Sequence, residues 1–119
     1  MATGRLSNRR IERFEDFWPH YLQEHARPLT RALHYVGTGL ATLALIGFVV
    51  TGNLWLLLAY PLLGYGFAWV AHFLVEKNRP ATFTYPLWSY VCDYRMVWHW
   101  LTGRLADDLK RAGVGESSR

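Results

Sequence analysis

The sequence predicts an all-α integral membrane protein built on a helical hairpin, and three observations carry that reading. Two apolar runs, residues 32–51 and 54–75, each match the roughly 20 residues needed to cross a bilayer core as a helix. The tripeptide TGN, residues 51–53, is a tight turn between them. Arginine and lysine crowd the outer ends of both runs and are absent from the turn, an asymmetry that places both termini in the cytoplasm.

The elements follow in order. Residues 1–9 read as a flexible N-terminus, residues 10–106 as one membrane domain, and residues 107–119 as a mobile tail ending in GVGESSR. Ile11, Phe14, Phe17, Trp18, Tyr21 and Leu22 recur at helical spacing with charged residues between them, the pattern of an amphipathic helix at the membrane interface or against the hairpin's inner end. Pro28 suits the first turn of the next helix. In the first span His34 is the one group that titrates near neutrality, and His72 is its counterpart in the second. Gly37, Gly39, Gly47, Gly64 and Gly66 permit close helix approach, which also makes self-association into a homo-oligomer plausible, and Pro61 is expected to kink the second helix. After the loop NRPATFTYP, the residues Leu87, Val91, Tyr94, Val97, Trp98 and Leu101 repeat the amphipathic pattern. Trp18, Trp88, Trp98 and Trp100 suit interfacial depth.

Composition narrows the function. The chain has 119 residues, 51% of them hydrophobic, with six Trp, seven Tyr and six Phe and a formal net charge of +4. Basic clusters beside apolar runs point to a membrane surface rather than to nucleic acid. Cys92 is the only cysteine, so no intrachain disulfide forms. The first apolar run begins behind a charged, aromatic segment, unlike a cleaved signal peptide.

The unusual stretch is YLQEHARPLTRALHYVGTGL, residues 21–40. In a hairpin, residues equally far from the turn share a depth. His34 lies 18 residues before Gly52 and His72 lies 20 after it, so both sit about 27–30 Å from the turn. Glu76 follows His72 by four and is expected on the same helix face. His25 closes the first amphipathic stretch, and Asp93 returns from the last. Three histidines and one or two carboxylates therefore meet at one depth, a set suited to a first-row transition metal, non-haem iron included. Arg27 and Arg31 could hold a fatty-acid carboxylate in their forked guanidinium groups. Each residue also has a plainer reading. Histidine or glutamate at a helix end caps or snorkels, the arginines mark topology, and Asp93 pairs with Arg95 or Arg104. On that reading the protein is a non-enzymatic lipid-binding or assembly factor. His20 and His99 read as ordinary interfacial histidines.

The stretches FWPHYLQEHARPLTRALHYVGTGL and AWVAHFLVEKNRPATFTYPLWSYVCDYRMVWHWLTGR resemble the Mpo1-like family over residues 14–104. The family's pattern falls on His25, His34, His72, Glu76 and Pro80; Thr30, Ala71 and Cys92 stand where asparagine, glycine and glycine are common. The resemblance implies an iron(II)-dependent dioxygenase that shortens 2-hydroxy fatty acids by one carbon with molecular oxygen. It implies His25, His34 and His72 as Fe(2+) ligands, with Glu76 as ligand or support. The compact form resembles the bacterial branch, which implies an inner-membrane location.

Overall fold

The computed structural model describes residues 11–114. Among these residues there are five α-helices and no strand. They are α1 (Phe14–Gln23), α2 (Pro28–Thr51), α3 (Leu54–Val70), α4 (Pro86–Leu101) and α5 (Leu105–Arg111). A π-helix, Ala71–Glu76, extends α3, and a 3-10 turn, Ala81–Phe83, precedes α4.

Helices α2 and α3 form the hairpin the sequence predicts. Pro28 occupies the first turn of α2, where its missing N–H costs nothing. The helix ends at Gly52, whose φ of 72° is the left-handed conformation that glycine adopts without strain. Asn53 then caps α3, its side-chain oxygen accepting from the Trp55 N–H at 3.1 Å. A Cβ on Gly37 would stand 2.7 Å from Phe67 Cβ, so the helices pack there because the residue is glycine. Chain direction changes at 51–53, and the helix continues through Pro61.

Both hairpin helices are long and apolar enough to cross a membrane. Their outward side chains are not a protein core: Val50 is 77% exposed and Trp55 76%. That exposure disfavours a compact soluble bundle, in which such residues would be buried.

A second unit sits at the open end of the hairpin. Phe17, Tyr21 and Leu22 of α1 pack with Cys92 and Met96 of α4 and Leu105 of α5, all buried. Trp18 is part of this core at 8% exposure, not an interfacial residue, whereas Trp98 and Trp100 are exposed. The expected mobile tail from residue 107 is corrected over its first part. Leu105–Arg111 is helical, and Asp108, Ala112 and Val114 are buried against the head. Its charged residues hide an apolar stripe too short to stand out in sequence. Asp108 bonds His99 and, at 2.6 Å, Arg111, which latches α5 to α4. Residues 1–10, which include the expected N-terminal segment 1–9, and the last five lie outside the described residues.

Candidate metal centre

His25 follows α1, His34 lies in the second turn of α2, and His72 opens the π-helix at the end of α3. All three are buried, at 1%, 3% and 2% exposure. Their ring atoms come together as the hairpin depth predicts. His25 Nε2 lies 3.0 Å from His34 Nε2 and 3.1 Å from His72 Nε2.

The other ring nitrogens explain what faces inward. His25 Nδ1 donates to the Tyr21 carbonyl at 2.6 Å, and His34 Nδ1 to the Thr30 carbonyl at 2.9 Å. His72 Nδ1 donates to Asn78 Oδ1 at 2.7 Å. A carbonyl oxygen can only accept, so each Nδ1 carries the proton. Each Nε2 is then a bare lone pair. The His25 lone pair lies about 3 Å from each of the other two with no hydrogen between them, a repulsion that a shared cation would turn into binding.

The donor set fits a divalent transition metal. Burial first, and then the neighbouring His34 and His72, hold the His25 imidazole well below its ordinary value, so it stays neutral and able to ligate. Tyr21 stacks on the His25 ring, centroids 4.0 Å apart, and fixes its plane.

The wall opposite the histidines is polar. Ser89 and Asp93 of α4 line the same cavity, about 10 Å³ and about the room for one ion or one water. Ser89 is 3% exposed and its Oγ has no hydrogen-bond partner among the described residues. Asp93 Oδ1 accepts from the Tyr21 hydroxyl at 2.5 Å, not from Arg95 or Arg104. Burial lifts the Asp93 carboxyl to about 7, against the Tyr21 hydrogen bond. The Arg95 guanidinium lies instead over the Trp18 ring, 4.7 Å from its centroid.

Glu76 lies outside the histidine cluster, and its Oε2 accepts from the Arg27 backbone N–H at 2.5 Å. Lys77, at φ 62°, ends the π-helix in the left-handed region, a strained conformation for a non-glycine residue. Arg31 reaches the loop that carries His25. Its Nη1 donates to the carbonyls of His25 and Ala26, both at 2.8 Å, and fastens that loop. Arg27 is exposed. Sequence reading passed over Asn78, Ser89 and Tyr21, although Tyr21 precedes His25 by one helical turn and Asn78 sits in the quoted loop motif.

A paired-helix fold with helices long and apolar enough to cross a membrane thus carries at its open end three buried histidines that could hold a metal ion. The chain belongs to the Mpo1-like family: the family model described as "2-hydroxy-palmitic acid dioxygenase Mpo1-like" matches residues 11–105. No curated protein and no solved structure gives a significant match.

Proposed function

We propose that the protein is an iron(II)-dependent dioxygenase of the membrane that removes one carbon from 2-hydroxy fatty acids. The observation that carries this reading is the convergence of three bare Nε2 atoms in a buried pocket. The family name supplies the substrate class. The hairpin spans the bilayer with both termini cytoplasmic, and the head rests on the cytoplasmic surface.

His25, His34 and His72 hold the metal. Bound there, iron(II) supplies the one-electron chemistry that lets molecular oxygen react with an organic acid. A set of three neutral imidazoles leaves the ion's positive charge uncompensated, which favours an anionic ligand such as the substrate carboxylate. Ser89 Oγ, buried without a partner, donates to the substrate's carboxylate or hydroxyl oxygen. Asp93, held by Tyr21, takes the 2-hydroxyl proton; a carboxyl lifted to about 7 suits that exchange near neutral pH. Glu76 and Arg31 act on the loop that positions His25 rather than on substrate.

The net change closes without another reductant. A 2-hydroxy acid and one O2 give a fatty acid one carbon shorter, CO2 and water, with the substrate supplying all four electrons. The test is incubation of iron-loaded protein with a long-chain 2-hydroxy acid under oxygen and mass analysis of the product. The expected product is the acid one carbon shorter, formed by wild type and not by His72→Ala. Unchanged substrate with fully loaded protein would leave a metal-binding membrane protein without this activity.

A further inference from the structure

A second cavity of about 60 Å³ lies between α2, α3 and α4, lined by Thr38, Ala41, Pro61, Gly64, Tyr60 and Tyr90. It is not a separate site. Tyr65 and Asp93 line both this cavity and the histidine pocket, so the two adjoin each other. Thr38 and Ala41 follow His34 by four and seven residues, and Gly64 and Pro61 precede His72 by eight and eleven. At about 1.5 Å per residue the path runs about 10–16 Å from the histidines toward the turn, the reach of a medium-length alkyl chain.

Its one polar wall is closed upon itself. The Thr42 hydroxyl donates to the Thr38 carbonyl at 2.7 Å, so its contact with the Tyr94 hydroxyl at 2.8 Å must be accepted by Thr42. Tyr94 having given its proton, Tyr60 donates to Tyr94 at 3.2 Å, and Tyr90 donates to Tyr60 at 2.5 Å. Four hydroxyls thus form a one-way chain ending on a backbone carbonyl. Every donor within that chain is used, so none of these four hydroxyls is left to demand a polar ligand in the cavity. Gly64 completes the apolar side. A Cβ there would meet Ala41 Cβ at 3.7 Å, an ordinary contact, so the space beside Gly64 is real and a side chain would occupy it.

We propose that this cavity holds the alkyl chain of the lipid whose polar head sits at the histidines, and that Gly64 sets the length of chain it takes. This rests on the dioxygenase reading for the identity of the head, and not for the chain. The path begins beside the place where the head would bind and runs into the apolar hairpin, past tyrosine hydroxyls that are already bonded to one another.

Two experiments on the full-length protein test it. In the first, wild type, Gly64→Ala and Gly64→Leu turn over 2-hydroxy acids of graded length. Gly64→Leu is expected to lose about tenfold or more in kcat/KM for the longest chains and to keep its rate on the shortest, with Gly64→Ala between. A length profile of unchanged shape overturns the proposal. The second needs neither turnover nor a folded variant. A long-chain fatty acid bearing a terminal diazirine is photolysed with metal-free wild type in lipid nanodiscs, and the labelled peptides are mapped. Label concentrated at Thr38, Tyr60 and Tyr90 and competed by unlabelled fatty acid supports the proposal, even where wild type shows no turnover and the dioxygenase reading has failed. Label spread over the outward face at Leu43, Val50 and Leu58 overturns it, even where turnover is normal.

Discussion

Asn78 and His72 are joined in one orientation only. The Asn78 amide nitrogen donates to the Glu24 carbonyl at 3.1 Å, so its oxygen is the atom facing His72 Nδ1 at 2.7 Å. That oxygen accepts the Nδ1 proton and turns Nε2 toward His25. One amide thus ties the π-helix to the loop before α2 and sets the protonation of a ligand. Asn78→Ala is expected to weaken iron(II) binding by about 10- to 100-fold while the fold persists. Competition against a colorimetric iron(II) chelator measures it.

Glu76 should be dispensable for metal content. Its carboxylate accepts from Arg27 N–H and does not join the three nitrogens. Glu76→Gln is expected to keep full iron stoichiometry, since the amide oxygen can still accept that hydrogen bond. Iron content falling to the level of His72→Ala would restore Glu76 as a ligand.

Tyr21→Phe removes the hydroxyl that bonds Asp93 and keeps the ring that stacks on His25. The lost hydrogen bond had favoured the Asp93 carboxylate, so the Asp93 pKa rises above about 7. The acid limb of the pH profile of kcat/KM should move to higher pH by up to about one unit. An unmoved limb removes Asp93 as the base.

The α4–α5 latch should open in acid. Burial works to raise the Asp108 pKa, but the hydrogen bonds and charges of His99 and Arg111 prevail and hold it below 3.8. A depressed carboxyl stabilises the fold above its unfolded value and loses that contribution as pH falls through the lower folded value. Amide protection relative to the intrinsic exchange rate in residues 105–111 should therefore be high at neutral pH and fall below about pH 4. Asp108→Asn should show low protection at every pH.

Gly37 and Gly39 should differ although both lie in α2. A Cβ at 37 would stand 2.7 Å from Phe67 Cβ and 3.1 Å from the Leu63 carbonyl, whereas at 39 it would meet nothing. Gly37→Ala is expected to destabilise the hairpin by about 1–3 kcal/mol. Gly39→Ala is expected to be neutral or mildly stabilising. Thermal unfolding in detergent separates them.

Much of this was legible because the hairpin obeys simple counting. Run length, the TGN turn and the equal distances of His34 and His72 from it fix both helices and the common depth of two ligands. His25 was legible from its place beside Pro28. The roles of Glu76, Asn78 and Arg31 were not. Ordinary helical spacing puts Glu76 below His72, and nothing in AHFLVE announces that its carboxylate is taken up by the Arg27 backbone N–H. Asn78 and Arg31 act across loops, on backbone carbonyls that no side-chain pattern reports. The α5 helix was missed because seven residues carry too little periodicity, and its partners lie on α1 and α4.

The most direct measurement is the metal content of protein loaded anaerobically with iron(II), wild type beside His72→Ala. The expected result is about one iron per chain in wild type and little in the variant, with the helical signal equal in both. Absence of bound metal from wild type, or equal iron in the two proteins, would contradict a metal centre at His25, His34 and His72.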